Sequence, residues 1–508
     1  MKSRDGEIER LVEGRPRAQI TSMAGSAYPT MNQHPSRSYD VLWLSLAIVP
    51  LVALSFLLSI HAMDYWWYLR VGQEVLLHGA VPAIDTISWT QAGKPVIYQP
   101  WLAGVIFWLA YDLGGATLTY LLRCVLLAVT FGALWVLARQ MSGPRLATIL
   151  ILVMGLSSTN NWQVRPQLFA YPLFALCLYS LYQWHQGKDK SLWILPGVMI
   201  LWSNLHGSFA LGLVLAGTTL VFGNGNRKSL LIVLGLMMIS TLINPHGFGN
   251  WQFLNFMLRS PSDQLFSVEW FAPQNLGWQL NIFFAWMLLI APVAALSNKR
   301  LTLMEWVLFL GFGWLAFSGI RYVIWCLFIL AVITAAPLAD LTRGKLDSST
   351  RTGSPILNFG IAGLFAVLAL MYLPGIRESW WPEAPAAYAP ESNPVAAVDW
   401  LKAHPDLPGP IWNDFAFGSY LAFALPSRPT WLDTRFFVFP PEQMKKYQDV
   451  SHATAEWESS LQGDGVNLLL LSQASHSQLI ESAASSPDWC EQYRDKYAVI
   501  FSRCEPIR

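Results

Sequence analysis

Long apolar runs separated by short polar turns fill the chain from residue 41 to residue 374. A run of about 20 residues matches the length of a helix that crosses the hydrocarbon core of a bilayer, and several of the runs here are somewhat shorter. The pattern predicts about eleven spans, at 41–60, 117–138, 146–160, 166–184, 190–205, 207–223, 229–244, 280–297, 302–318, 321–338 and 355–374. The sequence therefore indicates a polytopic α-helical membrane protein.

The composition supports this fold class. Of the 508 residues, 54% are hydrophobic and 13% are charged, whereas soluble domains carry roughly 25% charged residues. The formal net charge is +1, and no cluster of basic residues is interleaved with aromatic ones. A nucleic-acid partner is therefore not expected, because such a partner requires a strongly basic surface.

The basic residues predict the orientation of the spans. Cytoplasmic loops carry an excess of Lys and Arg. If the polar tail 1–40 is a disordered cytoplasmic segment, every predicted inner loop carries at least two basic residues. These are Arg139 and Arg145, Lys188 and Lys190, Arg227 and Lys228, Lys299 and Arg300, and Arg343, Lys345 and Arg351. The C-terminus then lies outside the cytoplasm, and the predicted location is a bacterial cytoplasmic (inner) membrane.

Residues 61–116 are predicted to form one large outer loop. The segment 100–115 is apolar but short, and counting it as a span would place the basic loops that follow on the outer side. We therefore expect a helix that lies at the outer surface or re-enters the membrane. A second helix, at about 64–79, is rich in Trp and Tyr, which are enriched at membrane interfaces.

The composition of the chain changes after residue 374, where the long apolar runs end. Residues 376–392 are rich in Pro and Ala and predict a linker. From 393 to 508 we expect a small extracytoplasmic α/β domain, with a helix in "NPVAAVDWLKAH" capped by Asn393. Short apolar runs predict buried strands in "GPIWND", "RPTWLD" and "GVNLLLLS", with closing strands in "CEQYRDKYAVIFSRC". Cys490 and Cys504 either form a disulfide there or stay free.

The candidate catalytic and binding residues lie on the predicted outer face. The residues are Asp64, Asp85, Arg165, His206, His246, Glu269 and Arg321. Ionisable groups at membrane depth are costly and often mark a site. Each also has a structural alternative. An acid such as Asp85 can cap a turn, Glu269 can pair with an arginine, and the two histidines precede glycines that favour tight turns. In "WLDTRFF", Asp433 and Arg435 are expected to form an internal ion pair.

Several segments resemble a known family. They are "DYWWYLRVGQEVLLHGAVPAIDTISWTQAGKP", "WLAGVIF", "VRPQLFAY", "LWSNLHGSFALGL", "LINPHGFGNW" and "VEWF". Together they resemble the bacterial polytopic proteins grouped with GT-C-type glycosyltransferases. Relatives of that group include the dolichyl-phosphate-mannose protein mannosyltransferases and the aminoarabinose lipid A transferases. The resemblance covers about 40–340, and the outer domain resembles the tail of the same group in "NDFAFGSYLAF" and "WLDTRFF".

The resemblance implies a reaction. A sugar would leave a polyprenyl-phosphate donor and join an extracytoplasmic glycan, lipid or protein acceptor, with inversion at the anomeric carbon. Asp64, at the end of the first helix, would act as general base, and Asp85 is the candidate second acid. Arg165 or Arg321 would bind the phosphate. His206 would add a hydrogen bond to phosphate or sugar.

His246 and Glu269 complete the expected substrate-binding set, together with Gln99. Close relatives often carry an acid or a histidine at the position of Gln99, in "YQPWL". An amide can bind a sugar hydroxyl, but it cannot act as a base and is a poor metal ligand. The resemblance leaves a divalent cation, Mg²⁺ or Mn²⁺, open, and this departure weakens the case for it.

Two other functions stay open at this stage. A non-catalytic GT-C-like subunit of a membrane protein complex would keep the fold and dock partners through its outer domain. A transporter is disfavoured, because most spans lack an ionisable residue at their centre and no inverted repeat is visible.

Overall fold

The computed structural model describes residues 37–342 and 353–504. Most of the predicted cytoplasmic tail, residues 1–36, lies outside these ranges. So do Arg343, Lys345 and Arg351 of the last predicted inner loop.

Helices dominate the described part of the chain up to residue 370. They are α1 (Arg37–Leu57), α2 (Tyr65–His78), α3 (Trp101–Ser142), α4 (Pro144–Ser157), α5 (Gln167–His185), α6 (Leu195–Leu205), α7 (Ala210–Phe222), α8 (Arg227–Ser240), α9 (Gly249–Met257), α10 (Pro261–Phe266), α11 (Gly277–Leu296), α12 (Leu303–Ser318), α13 (Val323–Ile333), α14 (Ala335–Leu341) and α15 (Pro355–Leu370). Each predicted span overlaps one or two of these helices.

Few of these helices are long enough to cross a bilayer unaided. Within the described ranges, three are both long and apolar enough, namely α1, α3 and α11. The pair α13 and α14, bent by 42°, makes a fourth if it counts as one broken span. The helical membrane fold is thus present, while the number of eleven spans and their orientation stay predictions.

Two helices occupy the predicted first outer loop. The first is α2, which ends at Gly79 in the left-handed conformation that glycine tolerates (φ 65°). The second is the first part of α3, which breaks at Gly114 and Gly115; the φ of Gly115 is 55°. The two helices cross at Gly72 and Gly104, where a Cβ on Gly72 would collide with the Gly104 carbonyl. This close crossing packs the middle of α2 directly against α3.

The C-terminal region forms a small α/β unit. Its helices are α16 (Val395–Ala403), α17 (Phe415–Ala424), α18 (Pro441–Ser451), α19 (Trp457–Gly463) and α20 (Ser477–Ser485), and its strands are β1 (Ile411–Asn413), β2 (Leu468–Ser472), β3 (Trp489–Arg494) and β4 (Ala498–Arg503). The sheet order is β1-β2-β4-β3, with β1 parallel to β2 and the other pairs antiparallel. Cys490 and Cys504 form a disulfide, which settles that alternative.

Two local predictions for this unit are wrong. "RPTWLD" is not a strand, because its pairing is limited to an isolated bridge between Thr430 and Ser88. Beyond that bridge, the Asn413 side chain accepts from the Trp431 amide and donates to the Leu432 carbonyl. Asn393 does not cap α16, since its side chain binds Trp66 Nε1 and the Ile60 carbonyl instead. Both side chains satisfy backbone or ring groups that are distant in sequence.

The C-terminal unit packs directly on the first outer loop. Trp66 contacts the rings of Tyr420 and Phe423 in α17, with ring centroids about 5 Å apart. Residues of α2, α3 and α17 share one buried apolar cluster. The segment 376–392 joins this contact through a backbone bridge between Ile60 and Tyr388. The C-terminal unit and the first outer loop are therefore in direct contact.

Candidate active site

A cavity of about 580 Å³, here called the central cavity, lies between the first outer loop, the ends of several helices and the C-terminal unit. Apolar and aromatic side chains line most of it. The polar residues in its wall include Asp64, Gln99, Arg165, His206, Ser208, Asn250, Asp263, Glu269 and Arg321. Six of the eight residues predicted from the sequence are therefore in one place. Enclosed apolar cavities with a few convergent polar groups are typical of ligand sites.

Asp64 stands at the entrance to α2. The preceding residue, Met63, has a positive φ of 20°, and its carbonyl accepts a hydrogen bond of 2.7 Å from Thr434 Oγ1 of the C-terminal unit. Trp67 Nε1 donates to Asp64 Oδ1 at 3.3 Å. The backbone that carries the carboxylate is thus held by a residue about 370 positions away.

Arg165 links two carboxylates in the cavity wall. Its Nε and Nη2 donate to Asp64 Oδ2 at 2.9 and 2.5 Å, and its Nη1 donates to Glu269 Oε1. Burial lowers the pKa of the Arg165 guanidinium, but the charges of Asp64 and Glu269 outweigh burial and raise it. The guanidinium is thus committed to two protein carboxylates, which disfavours the predicted role of Arg165 as a phosphate ligand.

Arg321 offers the cavity a different kind of cation. Its guanidinium lies over the Trp270 ring, 4.5 Å from the centroid, in a cation–π contact. In residues 37–342 and 353–504, no carboxylate forms an ion pair with it. A planar guanidinium with free donors matches a phosphate group well.

His206 contributes a neutral donor. Its Nδ1 accepts the Ser208 backbone N–H at 3.1 Å, so the ring hydrogen is on Nε2. Burial, followed by the positive charges of Arg321 and Arg165, lowers the pKa of His206 to about 3. An Asn-x-His-Gly turn therefore forms, as the structural alternative predicted, and its imidazole nevertheless lines the cavity.

Two amide side chains share one backbone carbonyl. Gln99 Nε2 and Asn250 Nδ2 both donate to the Ser203 carbonyl, at 2.6 and 2.9 Å. Both side chains are buried and line the central cavity. Asn250 lies in the quoted segment "LINPHGFGNW", but nothing in that segment distinguished it as a site residue.

Asp263 is the other site residue that sequence reasoning missed. It lies in the short helix α10, whose start is capped by the Ser260 hydroxyl accepting the Asp263 N–H. Burial raises the pKa of Asp263 to about 6. Ser-Pro-x-Asp is a recognisable helix-start pattern, but the pattern does not reveal that the carboxylate is buried in a cavity wall.

Two predicted site residues lie outside the central cavity. Asp85 forms a buried ion pair with Arg435 at 2.7 Å and accepts the backbone N–H groups of Ile87 and Ser88. Burial raises the pKa of Asp85, but Arg435 outweighs it and the net pKa is lowered. Arg435 also pairs with Asp433, as the sequence predicted. His246 is half-buried in a turn beside Gly249 and is not among the residues that line the cavity.

The donor set does not fit a divalent cation. Within the described residues, no group of three His, Cys, Asp or Glu side chains is placed to hold a metal ion. Asp64 and Glu269, two acids of the cavity wall, both already bind Arg165. Gln99, in the position where relatives carry an acid or a histidine, adds only an amide. We therefore derive no step through a metal.

Comparison with known proteins gives no match at the level of sequence. No protein-family model matches the chain. No curated protein matches it either.

Solved structures resemble the fold. The Archaeoglobus fulgidus oligosaccharyltransferase, tethered with an acceptor peptide, matches with a TM-score of 0.52 and 12% identity, over 92% of this chain and 74% of that chain. The arabinofuranosyltransferase AftD from Mycobacteria matches with a TM-score of 0.55 and 16% identity, over 92% of this chain and 42% of that chain. The chain thus shares its fold with these two sugar-transferring enzymes, which confirms the GT-C-type fold that the resemblance implies. At these identities the likeness shows the fold alone.

Proposed function

We propose that the protein is a membrane glycosyltransferase that moves a sugar from a polyprenyl-phosphate donor to an extracytoplasmic acceptor, with inversion at the anomeric carbon. One observation carries the proposal. A carboxylate, Asp64, and an arginine without an ion-pair partner among the described residues, Arg321, line the same enclosed cavity. A base for an acceptor hydroxyl and a cation for a leaving phosphate are the two groups that this reaction needs. The fold shared with two sugar-transferring enzymes supports it.

Asp64 is proposed to act through its Oδ1 atom. Arg165 holds Oδ2 with two hydrogen bonds, whereas among the described residues Oδ1 accepts only one bond, of 3.3 Å, from Trp67 Nε1. Oδ1 would take the proton of the acceptor O–H while that oxygen attacks the anomeric carbon. General-base assistance of this kind contributes about 10²–10⁴ in rate.

The leaving group departs on the opposite side of the sugar. The bond between the anomeric carbon and the phosphate oxygen breaks, and its electron pair stays on the polyprenyl phosphate. Arg321 and the Nε2–H group of His206 would stabilise the negative charge that develops there. Because burial and the nearby arginines keep His206 neutral, it acts as a hydrogen-bond donor and not as an acid at neutral pH.

The remaining polar groups support this arrangement. Arg165 and Glu269 orient Asp64, and Gln99 accepts or donates hydrogen bonds to a sugar hydroxyl. Asp85 is assigned a different role, because its ion pair with Arg435 fastens the first outer loop to the C-terminal unit.

The lipid part of the donor requires an apolar flank. On α9 and the turn after it, Phe253, Leu254 and Met257 line the cavity together with Leu258, and Leu258 is exposed at its outer side. An isoprenoid chain could leave the cavity along this surface into the bilayer. We place the protein in a bacterial cytoplasmic membrane, with 41–375 as the membrane domain and 393–508 outside, joined by 376–392.

Transfer from undecaprenyl-phosphate-linked sugars, assayed with purified protein in nanodiscs, tests the proposal. Asp64→Asn should reduce transfer at least a hundredfold while the protein keeps its fold and membrane insertion. Asp112→Asn is the matched control, because Asp112 is an exposed acid of the same predicted loop. Unchanged transfer in Asp64→Asn would contradict the role of the base.

The same assay distinguishes the proposed glycosyltransferase from the alternative, a non-catalytic subunit of a membrane complex. A non-catalytic subunit would show no transfer with any donor and would be indifferent to Asp64→Asn. It would also co-purify in a stable complex.

A further inference from the structure

The wall of the central cavity contains two buried hydrogen-bond acceptors for which the described residues supply no donor. Asp263 is only 6% exposed, and within the described residues its Oδ2 has no hydrogen-bond partner. Asn250 is 0% exposed, and its Oδ1 also lacks a partner in the part of the chain that the structure describes. Native proteins seldom leave buried polar atoms unpaired, and a ligand is one common explanation.

These atoms determine whether their missing partner is a hydrogen-bond donor or an acceptor. Asn250 already uses its Nδ2 to bind the Ser203 carbonyl, so the atom that remains is an acceptor. A carboxylate is likewise acceptor-only when ionised. A ligand that binds either of these oxygens must therefore present hydrogen-bond donors, either hydroxyl or amine groups.

The surrounding charges favour hydroxyl groups. Arg321 and Asp64 are the charged groups that act on Asp263, and Arg321 would repel an ammonium group placed beside this carboxylate. A hydroxyl group carries no charge and can satisfy both Asp263 and the neutral amide of Asn250.

Aromatic rings lie in the same part of the cavity. The helix α10, which carries Asp263, packs against the segment Phe436–Val438, and Ser262 Oγ donates to the Phe439 carbonyl at 2.9 Å. Phe436 and Phe437 line the cavity there. A pocket that combines ring faces with acceptors suits a molecule with apolar C–H faces and several hydroxyl groups, which is a saccharide.

We infer that Asp263 and Asn250 form a saccharide-binding wall, in which Asp263 Oδ2 and Asn250 Oδ1 accept hydroxyl hydrogens. The assignment of this saccharide to a transfer reaction rests on the proposed function. The hydroxyl groups belong either to the sugar being transferred or to an acceptor sugar. Burial is the main cause of the raised pKa of Asp263, and the hydrogen bond with Ser260 and the charge of Arg321 offset it only in part.

Thermal unfolding of the full chain in nanodiscs tests the inference. The probes are undecaprenyl phosphate and a panel of methyl glycosides of hexoses and pentoses at millimolar concentration. In the wild-type protein saturated with undecaprenyl phosphate, at least one glycoside should raise the unfolding midpoint further. Asp263→Leu and Asn250→Leu should each weaken the apparent affinity for that glycoside at least tenfold, and Glu442→Gln, an exposed acid of α18, should not.

Two results would overturn the inference. One is an unchanged glycoside affinity in both leucine variants, or in the one that folds if the other does not. The second is a wild-type protein that no glycoside of the panel stabilises. If undecaprenyl phosphate itself fails to stabilise the wild-type protein, the proposed function is contradicted instead.

A competition experiment distinguishes the two sources of the sugar. The protein is saturated with an undecaprenyl-phosphate-linked sugar in place of undecaprenyl phosphate, and the glycoside titration is repeated. A glycoside that still binds occupies an acceptor position, whereas a glycoside that is excluded shares the position of the transferred sugar. Either result places a saccharide at the wall.

Discussion

Arg165 binds Asp64 through one carboxylate oxygen only, with both its Nε and its Nη2 directed at Oδ2. The geometry leaves the other oxygen, Oδ1, for a ligand. It also means that an arginine and an acid separated by 101 residues form one functional unit. A side chain that positions a proposed base can be tested separately from the base itself.

Replacing Arg165 should slow transfer without unfolding the protein. In Arg165→Lys a single ammonium group cannot bind Asp64 and Glu269 together, because it lacks the planar fork of a guanidinium. We expect kcat to fall about 10- to 100-fold, with a small change in the KM for the donor. Arg70→Lys is the matched control, since Arg70 pairs with Glu74 on α2 at 2.6 Å and lies outside the cavity. Equal rates in both variants would exclude a positioning role.

Arg321 should govern binding of the phosphate. Arg321→Gln removes the charge, and we expect the dissociation constant for undecaprenyl phosphate to rise about 10- to 100-fold, as for other charge-assisted contacts. Arg321→Lys should recover part of the loss. The measurement is a titration by intrinsic tryptophan fluorescence, because Trp270 lies against the guanidinium. Arg259→Gln, an exposed arginine after α9, is the control. Tight binding in Arg321→Gln would refute the assignment.

The ion pair of Asp85 with Arg435 should matter for stability. Arg435→Met leaves two buried carboxylates, Asp85 and Asp433, without their cation, and removing one partner of a buried pair costs about 3–5 kcal/mol. Asp85→Asn should cost less, because Asp433 still neutralises Arg435. Urea unfolding monitored by fluorescence measures both. A larger loss for Asp85→Asn than for Arg435→Met would contradict this account.

Asp263 should make stability depend on pH. Burial raises its pKa from 3.8 to about 6 in the folded protein, so the folded state binds its proton more tightly than the unfolded state. The corresponding stability is present below pH 4 and is lost as the pH rises to about 6. From pH 4 to pH 7, the wild-type protein should lose about 2 kcal/mol relative to Asp263→Asn. Arg321 and Asp64 are the charged neighbours that modulate this effect. Parallel pH profiles for the two proteins would show that Asp263 does not titrate as expected.

The disulfide allows a test of the proposed orientation. Cys124, Cys177 and Cys326 are buried, and Cys490 is bonded to Cys504, so a membrane-impermeant maleimide should not label the native protein. After mild reduction of spheroplasts, the reagent should label Cys490 and Cys504 if the C-terminal unit is outside. A gel-mobility shift measures labelling, and C490S/C504S is the control. Labelling only after permeabilisation would place that unit in the cytoplasm.

Much of the site follows from local sequence. Asp64, Arg165, His206, Glu269 and Arg321 were predicted because polar residues at the ends of apolar runs are few, and the helices confirm where those ends are. Asn250 and Asp263 could not be predicted in this way. These two residues are candidates because each has a buried side-chain oxygen without a partner among the described residues. Burial depends on which distant segments cover a residue, and a local pattern does not contain that information.

The sequence by itself determined the helical membrane fold class, its GT-C-type resemblance and the helix ends at which polar groups lie, because apolar periodicity and caps are local properties. Only the tertiary structure decided which of those polar groups pair with one another and which of them line the cavity. Arg165 pairs with Asp64, and Asp85 pairs with Arg435 outside the cavity. Arg321 forms no ion pair among the described residues. The physical reason is that charge pairing depends on distances between residues far apart in the chain, and packing alone sets those distances.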